Sequence, residues 1–191
     1  MNCSICGTDS KHFKTYNGRA GARCPSCWAL ERHREVFDVL MKNALLTHRP
    51  VCSKLLMVSM DPYYSKLCKF YDTTVLTIQK HQPHTVCGDL CNPPFKPETF
   101  DVVVQVHVLE HIKDDRKATA AVYQLLRAGG IYISNVPCRL NKPTDEFGAA
   151  DSHNHGHWRL YGAEDYSALL TSCGFCSVVR DHSTFVARKA P

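Results

Sequence analysis

Short apolar runs alternate with helical segments from residue 54 to the end of the chain, and this pattern constrains the fold most. The strongest run is Phe100–Val106 (FDVVVQV), a series of β-branched residues typical of a strand buried on both faces. The predicted strands are Lys54–Val58, Val75–Ile78, Thr85–Cys87, Phe100–Val106, Ile131–Val136, Phe175–Val179 and Thr184–Ala187. The predicted helices are Tyr63–Phe70, Asp114–Leu126, which is expected to end at Gly129–Gly130, and Tyr161–Cys173. This alternation predicts an α/β fold with a largely parallel, doubly wound sheet.

Two Cys-x-x-Cys pairs dominate the segment from Met1 to Trp28, which shows almost no apolar periodicity. The four cysteines are Cys3, Cys6, Cys24 and Cys27, and the segment from Gly7 to Arg23 separates the pairs. A segment this small needs a cross-link to replace a hydrophobic core, and four thiolates at this spacing are typical of structural, tetrahedral zinc. Gly7, Gly18 and Gly21 suit the tight turns of a β-ribbon.

The predicted domain order is a zinc ribbon over residues 1–34, a linking helix over residues 35–50 and an α/β domain over residues 51–191. The helix itself is predicted over Ala29–Leu46 and is followed by Pro50. Its apolar positions near one face are Leu30, Phe37, Leu40, Met41 and Ala44. We expect this face to dock the ribbon onto the rest of the chain.

The cysteine count bears on the cellular location. The chain has 11 cysteines, and its first residues, MNCSICGTDSKHF, lack the apolar stretch of a secretory signal peptide. We therefore expect reduced thiols and a cytoplasmic protein. Seven cysteines lie outside the two pairs, and we interpret most of the seven as small core residues. These are Cys52, Cys68, Cys87, Cys91, Cys138, Cys173 and Cys176.

The composition is that of a globular protein, with 44% hydrophobic and 21% charged residues, and it excludes a largely disordered chain. No stretch approaches about 18 uncharged apolar residues, so no membrane partner is expected. The net charge is +5, and residues 1–34 contribute +4 of it through six lysine and arginine residues against two acidic ones. A basic segment of this kind fits contact with nucleic acid or an anionic ligand, and also a solubilising surface.

The carboxyl ends of the predicted strands identify the residues to inspect for a site. Ligands of doubly wound sheets bind at this edge, near the point where the strand order reverses. The residues there are Ser59–Asp61, Gln79, Asp89–Leu90, Gln105–His111 and Pro137–Arg139.

The segment GDLCNPPFKPETFDVVVQVHVLEHIKDDRKATAAVYQLLRAGGIYISNVP resembles the second half of a class I S-adenosylmethionine-dependent methyltransferase of the type 11-like kind. CPSCWALERHR resembles the zinc-ribbon segment that precedes the catalytic domain in one group of these enzymes. HGHWRLYGAEDYSALLTSCGF is similar to that group's Asp-His-x-Arg-x-Tyr-Gly segment. The resemblance implies a Rossmann-like sheet of seven strands with the last one antiparallel. It also implies methyl transfer from S-adenosylmethionine, which we expect to reach an O or N atom of a small polar or anionic molecule.

The resemblance also implies roles for individual residues. Asp89 matches the acid that accepts a hydrogen bond from the adenine amino group, and Leu90 matches the residue against the ring. The expected cofactor-binding residues are Ser59, Asp61, Gln79, Asp89, Leu90, Gln105 and Val106. The expected catalytic residues are His107, Glu110, His111, His157, Arg159 and Tyr161. The chain departs from the family in two places: the turn after the first strand has no glycine, and Gln79 stands where an acid is expected.

Two alternative functions fit the same sequence. His153, His155 and His157 occupy alternate positions, so in an extended segment all three side chains would lie on the same side. The three imidazoles could then bind a second metal ion, and the protein would carry out metal-dependent chemistry in place of methyl transfer. The simpler interpretation is that His157 and Arg159 contact a substrate while the other two histidines are exposed to solvent. The other function is a zinc ribbon that recognises RNA, with Phe13, Tyr16 and Trp28 as stacking residues.

Overall fold

The computed structural model describes residues 2–43, 53–79, 85–150, 152–153 and 155–191. Its N-terminal part contains an antiparallel hairpin of β1 (Lys14–Tyr16) and β2 (Arg19–Arg23), followed by α1 (Glu31–Lys42). Asn17 and Gly18 join the two strands, and both have positive φ angles, of 47° and 75°. Two consecutive residues of this kind match the tight hairpin turn that Asn-Gly sequences favour.

A seven-stranded sheet forms the centre of the molecule. After α1 the described elements are β3 (Lys54–Val58), α2 (Tyr64–Leu67), β4 (Asp72–Thr77), β5 (Thr85–Cys87), β6 (Phe100–Val106), α3 (Asp115–Leu125), β7 (Leu126–Asn135), β8 (Cys138–Arg139), β9 (Asp145–Glu146), β10 (Arg159–Gly162), α4 (Ala163–Ser172), β11 (Ser177–Asp181) and β12 (Thr184–Arg188). The sheet order is β11-β12-β7-β6-β3-β4-β5. Strands β5, β4, β3, β6 and β7 pair in parallel, and β12 is antiparallel to both of its neighbours. The predicted α/β fold with an antiparallel last strand is confirmed.

The sheet separates two hydrophobic cores, and β6 contributes to both. Val102 and Val104 pack on the side of α1, whereas Val103 packs on the side of α3 and α4. All three side chains are fully buried. Side chains of successive residues in a strand point to opposite faces, so a run of valines is the sequence pattern that a strand covered on both faces requires.

The N-terminal hairpin region and the sheet share one of these cores. Cys3, Ile5 and Cys24 belong to the same buried cluster as Leu40 of α1 and Leu55 of β3. Hydrogen bonds strengthen the connection, because the guanidinium of Arg34 in α1 donates to the carbonyls of Ala22 and Ala29. The four core-facing apolar side chains of α1 are Val36, Phe37, Val39 and Leu40. Each contributes about 1.5–3 kcal/mol on burial.

Three predicted elements differ most from the structure. The helix expected to end at Gly129–Gly130 ends at Leu125, and both glycines lie within β7, in the irregular stretch between its paired residues Leu126 and Ile131. Tyr161, predicted to be helical, lies in β10 of a small three-stranded sheet with β8 and β9. The helix predicted from Ala29 begins at Glu31, its residue Met41 is 48% exposed, and residues 44–46 lie outside the described chain.

The cysteines outside the two pairs are not core residues where the structure describes them. Cys68, Cys87 and Cys176 are exposed, and the other three described ones are only partly buried. Cys52 lies outside the described residues. None of the helices in the described part of the chain has the length and apolar character needed to cross a membrane.

Candidate functional site

An open cavity of about 450 Å³ lies at the carboxyl ends of β3, β4, β5 and β6. This is the edge where the strand order of the sheet reverses, between β3 and β6. Its lining residues are Val58, Ser59, Met60, Leu76, Thr77, Ile78, Gln79, Gly88, Asp89, Leu90, His107, Val108, His111 and Ile112. Six of the predicted site residues therefore lie around one space: Ser59, Gln79, Asp89, Leu90, His107 and His111.

The turn after β3 forms one wall of the cavity without a glycine. Ser59 has a φ of 70°, in the left-handed region that usually requires glycine, and its N–H donates to the carbonyl of Leu76. A non-glycine residue held there costs about 1–2 kcal/mol. The chain thus retains the sharp turn that the glycine-rich pattern would supply, at the expense of local strain.

Asp89 and neighbouring apolar groups form the opposite wall. The Asp89 carboxylate accepts from the N–H of Cys91 at 2.8 Å, which fixes its position at the surface of the cavity. Leu90 is buried beside it, whereas Ile78 is 81% exposed and Met60 is 39% exposed. Ile78 was not predicted as a site residue, although it directly precedes Gln79 at a strand end. A cavity with an exposed apolar wall and one charged acceptor suits a flat, polar-edged ligand.

Three predicted cofactor residues do not line the cavity, and two of them lie at the end of β6. Gln105 is fully buried, where its amide hydrogen-bonds the Ser134 hydroxyl and its carbonyl accepts from the N–H of Val108. Val106 is buried in the core on the α1 side. Gln105 therefore supports the loop that carries Val108 and His111 into the cavity, because a buried amide used for internal hydrogen bonds holds its neighbours in place.

Asp61, the third of these residues, is directed away from the cavity and into the protein. It accepts a hydrogen bond from the Tyr63 hydroxyl at 2.9 Å and lies 3.6 Å from His33 of α1. Burial raises the pKa of Asp61 to about 7, although the Tyr63 hydroxyl and the charge of Arg32 oppose this shift. Burial also lowers the pKa of His33 to about 3, and the Arg32 charge adds to that effect. Both side chains are neutral between these values, so Asp61 serves the core rather than a ligand.

His107, Glu110 and His111 follow β6 in one tight turn. His107 has a φ of 53°, and its Nδ1 atom lies 3.0 Å from Oε1 of Glu110. Glu110 is fully buried, whereas His111 is exposed and lines the cavity. The Nδ1 atom of His111 lies 3.0 Å from the carbonyl oxygen of Gly156. Because a carbonyl only accepts, Nδ1 carries the proton of His111 and Nε2 keeps its lone pair.

The segment before β10 brings His157 next to His111. The N–H of Trp158 donates to the carbonyl of Glu110 at 2.7 Å, and the two imidazole rings lie 4.7 Å apart in an edge-to-face arrangement. Burial lowers the pKa of His157, the carboxylate of Glu110 opposes this shift, and the proximity of His111 adds to it. A lowered pKa leaves this imidazole neutral at neutral pH and therefore able to accept a proton.

The structure does not align the three alternating histidines as predicted. His155 has a φ of 59° and Gly156 a φ of 74°, so the backbone is not extended at this point. The rings of His155 and His157 are 6.1 Å apart, and His153 is exposed. Among the described residues, His157 is the one member of the three that joins the group around Glu110.

Arg159 and Tyr161 are structural side chains, not ligand-facing ones. The Arg159 guanidinium donates to the carbonyls of Ile112 and Lys113, at 2.7 and 2.8 Å, and pairs with Glu146. The Tyr161 hydroxyl donates to Asp115 at 2.8 Å, and both Arg159 and Tyr161 are buried. The guanidinium of Arg159, predicted to contact a substrate, therefore donates to the protein's own carbonyls and connects β10 to the loop after β6.

A second site is formed by the four paired cysteines, and the two pairs have the same backbone shape. Sγ atoms of Cys3 and Cys27 are 3.7 Å apart, and those of Cys6 and Cys24 are 3.5 Å apart. Each pair is closed by a residue with positive φ four positions after its first cysteine, Gly7 in one and Trp28 in the other. Four thiolates at about 2.3 Å from one zinc ion lie about 3.8 Å apart in a tetrahedron. The observed separations agree with that arrangement.

Comparison with known proteins finds a family match over about half of the chain. Residues 40–134 match the family described as Methyltransferase domain. These residues are similar to a methyltransferase domain. A relative from Mycolicibacterium smegmatis, named a probable S-adenosylmethionine-dependent methyltransferase, is 31% identical over 88 residues, which are 46% of this chain. The chain spans only about a third of the length of that relative, 33%.

Solved structures share the fold of this chain at low sequence identity. The 1,6-didemethyltoxoflavin-N1-methyltransferase of Burkholderia thailandensis, solved with S-adenosylhomocysteine, has a TM-score of 0.65 at 17% identity and covers 84% of this chain and 79% of its own. The [4+2]-cyclase SpnF has a TM-score of 0.58 at 18% identity, covering 77% and 59%. Proteins with this fold thus carry out more than one type of reaction, so the reaction has to be inferred from the residues of the site.

Proposed function

We propose that this protein is an S-adenosylmethionine-dependent methyltransferase that acts on an O or N atom of a small polar molecule. The observation that carries the proposal is the cavity of about 450 Å³ at the ends of β3 to β6, with Asp89 and Leu90 in its wall. This volume lies in the range of cavities that hold a ligand of cofactor size. The methyltransferase domain match and the named relatives agree with it.

The cavity residues fit the parts of the cofactor. The Asp89 carboxylate would accept from the adenine amino group, and Ile78 and Leu90 would cover the faces of the ring with apolar surface. The turn at Ser59 brings backbone close to the ligand because its φ of 70° is the conformation that a glycine would adopt. Gln79 supplies amide groups to the ribose hydroxyls in place of the usual acid.

The acceptor would bind where His111 enters the cavity, beside His157. Bound S-adenosylmethionine supplies an electrophilic methyl group on a sulfonium. His157, neutral because burial lowers its pKa, is placed to take the proton that an attacking hydroxyl or amine loses. Arg159 is engaged with the chain's own carbonyls, so the described residues give no support to recognition of an anion by its guanidinium.

Calorimetric titration of the full chain with S-adenosylmethionine and S-adenosylhomocysteine tests the cofactor site. Asp89→Ala should weaken both by about 10- to 100-fold, because a hydrogen bond to a charged group contributes about 1.5–3 kcal/mol. Asp72→Ala is the matched control, since this exposed aspartate at the start of β4 lies outside the cavity lining. Absence of heat at millimolar concentration of either ligand would refute the proposal.

Methyl transfer itself is measured as release of S-adenosylhomocysteine in the presence of small alcohols, phenols and amines. Removing a general base lowers the rate by about 10²- to 10⁴-fold, so His157→Ala should do so while cofactor binding stays within a few fold. Equal rates for the variant and the unchanged protein would exclude His157 as the base.

We propose that the four cysteines Cys3, Cys6, Cys24 and Cys27 hold structural zinc. Their Sγ separations support this, and so does their place in the shared core beside α1. Four protein ligands leave no open position, so this ion would stabilise the fold and take no part in chemistry.

A second function, RNA contact by the zinc ribbon, is supported by one surface feature. Trp28 is 62% exposed, and the guanidinium of Arg23 lies 4.5 Å from its ring centre. An exposed aromatic ring beside positive charge is the arrangement on which bases stack. Binding of a single-stranded RNA that weakens steeply with salt and is lost in Trp28→Ala would support this function.

A further inference from the structure

The turn after β6 contains a buried carboxylate that the proposed methyl transfer does not use. Glu110 is fully buried, and no described residue donates a hydrogen bond in proper geometry to either of its carboxylate oxygens. A buried carboxylate without donors costs several kcal/mol. It persists in a fold only where something of opposite charge compensates it.

Two imidazoles face this carboxylate. Ligand atoms of Glu110, His111 and His157 all lie within 4.8 Å of one another. Both imidazole-bearing segments are held in place by the backbone, because Trp158 donates to the Glu110 carbonyl and His111 hydrogen-bonds the Gly156 carbonyl. The histidine that binds a metal ion ordinarily donates its second N–H to a carbonyl or carboxylate, which is what the ring of His111 does.

His107 adds a third nitrogen at the same point. Its Nδ1 atom is 3.0 Å from Oε1 of Glu110, yet the geometry is not that of a hydrogen bond. A separation of about 3 Å is also that of two neighbouring ligands on one ion, given ligand distances of about 2.0–2.2 Å. The backbone of His107 is held at a φ of 53°, and strain of this kind, about 1–3 kcal/mol, is concentrated at functional positions.

We propose that Glu110, His111 and His157, with His107 adjacent, bind a divalent first-row transition ion at the edge of the cavity. An ion bound here would hold the lone pair of His157, so the role of His157 as a proton acceptor applies to the protein without this ion. Imidazole and carboxylate ligands together suit Zn²⁺, Mn²⁺, Fe²⁺ and Co²⁺. His111 lines the cavity, so an ion held here takes its remaining ligands from water or from a molecule in the cavity. This site differs from the four-cysteine site in its ligand type and in its open positions.

The test is a titration of the full chain with Mn²⁺ after zinc has been supplied to saturate the cysteines. Mn²⁺ prefers oxygen and nitrogen ligands to thiolates, which directs it to the Glu110 group. We expect binding of one equivalent of Mn²⁺ and a rise in Tm. Glu110→Gln and His157→Ala should each weaken binding more than about 100-fold, because loss of an outer partner alone costs about 10- to 100-fold.

His182→Ala is the matched control, because His182 also lies beside a carboxylate, 2.7 Å from Asp181, but outside the group. It should leave Mn²⁺ binding unchanged. Without metal, Glu110→Gln should be at least as stable as the unchanged protein, since it removes a buried carboxylate that accepts no hydrogen bond from a described residue.

Two results would overturn the proposal. One is the absence of Mn²⁺ and Co²⁺ binding beyond the cysteine site at millimolar concentration. The other is a combination of two measurements: the metal-free Glu110→Gln variant has a clearly lower Tm, and metal does not raise the Tm of the unchanged protein. That combination would make Glu110 a structural partner of His107. Metal binding does not require S-adenosylmethionine, so a protein that binds Mn²⁺ but not the cofactor would refute only the proposed function.

Discussion

Replacement of Arg159 by alanine should destabilise the whole domain. The side chain is 7% exposed and donates to two carbonyls, those of Ile112 and Lys113, which belong to the loop between β6 and α3. Each buried carbonyl left without a donor costs about 1–3 kcal/mol. The loss of charge beside Asp115, 3.5 Å away, adds to this, whereas Glu146 is 60% exposed and contributes little.

The expected loss is about 3–5 kcal/mol in the free energy of unfolding, the range found when one partner of a buried charged pair is removed. For a chain of this size 1 kcal/mol corresponds to about 2–4 °C, so the Tm should fall by about 6–20 °C. Calorimetry and urea unfolding, both with zinc present, measure the two quantities. The Tm of Arg159→Lys should lie between those of the unchanged protein and Arg159→Ala, because an ammonium group keeps the charge but lacks the planar set of donors of a guanidinium.

Arg139→Ala is the matched control from the same small sheet. Arg139 pairs with Asp145, but these side chains are 40% and 49% exposed, so the loss should stay below about 1 kcal/mol. If Arg159→Ala shifts the Tm no more than Arg139→Ala does, the structural role argued for Arg159 is wrong. If Arg159→Ala instead loses most of its turnover at an unchanged Tm, the result would support the substrate-binding role that the sequence predicts for Arg159.

Three other substitutions test separate features. Ser59→Gly should stabilise the protein by about 0.5–1 kcal/mol in urea unfolding, because it removes left-handed strain, whereas Ser65→Gly, the same change within α2, should destabilise it by a similar amount. Cys24→Ser should abolish the tightly held zinc ion in native mass spectrometry and lower the Tm, and a variant that keeps zinc would exclude the four-cysteine site. Asp61→Asn should make stability rise more steeply from about pH 4 to about pH 6.5, because the contribution of His33, whose pKa burial lowers to about 3, is then no longer offset by Asp61. In the unchanged protein Asp61, whose pKa burial raises to about 7, makes folding less favourable as pH rises over the same range, so the two effects oppose each other; equal pH profiles would contradict the assignment.

Local sequence predicted the central strands well, because the pattern that marks them is a property of each strand alone. The bounds of β6, Phe100–Val106, agree with the structure because a run of β-branched residues has no other favourable conformation in a buried layer. Gly129 and Gly130 show the limit of this approach. Two glycines after a helix predict its end, yet the helix ends earlier and β7 runs through both glycines, whose backbone hydrogen bonds go to Lys189 and Ala190 near the end of the chain.

The site was predicted in position but not in detail. Asp89 and His111 could be located because the ends of parallel strands meet at one edge. The environment of Arg159 could not, since its partners Ile112 and Lys113 are 47 and 46 residues away in the chain. Nothing in the neighbouring residues of the sequence indicates that this arginine will donate its hydrogen bonds to backbone carbonyls of the protein. The same holds for Glu110, whose burial depends on the distant segment that contains Trp158.

The core common to the cysteine-rich segment and the sheet limits how such proteins can be recombined or shortened. Val36 and Leu40 of α1 cover Leu55 and Val104 on one face of the sheet, and the ribbon completes that layer. A chain that started at residue 54 would present this apolar face to water and invite aggregation. A ribbon transplanted from another protein would have to bring its own helix with it. If the four cysteines hold the proposed zinc ion, loss of that ion would uncover this apolar face and lower the solubility of the entire chain.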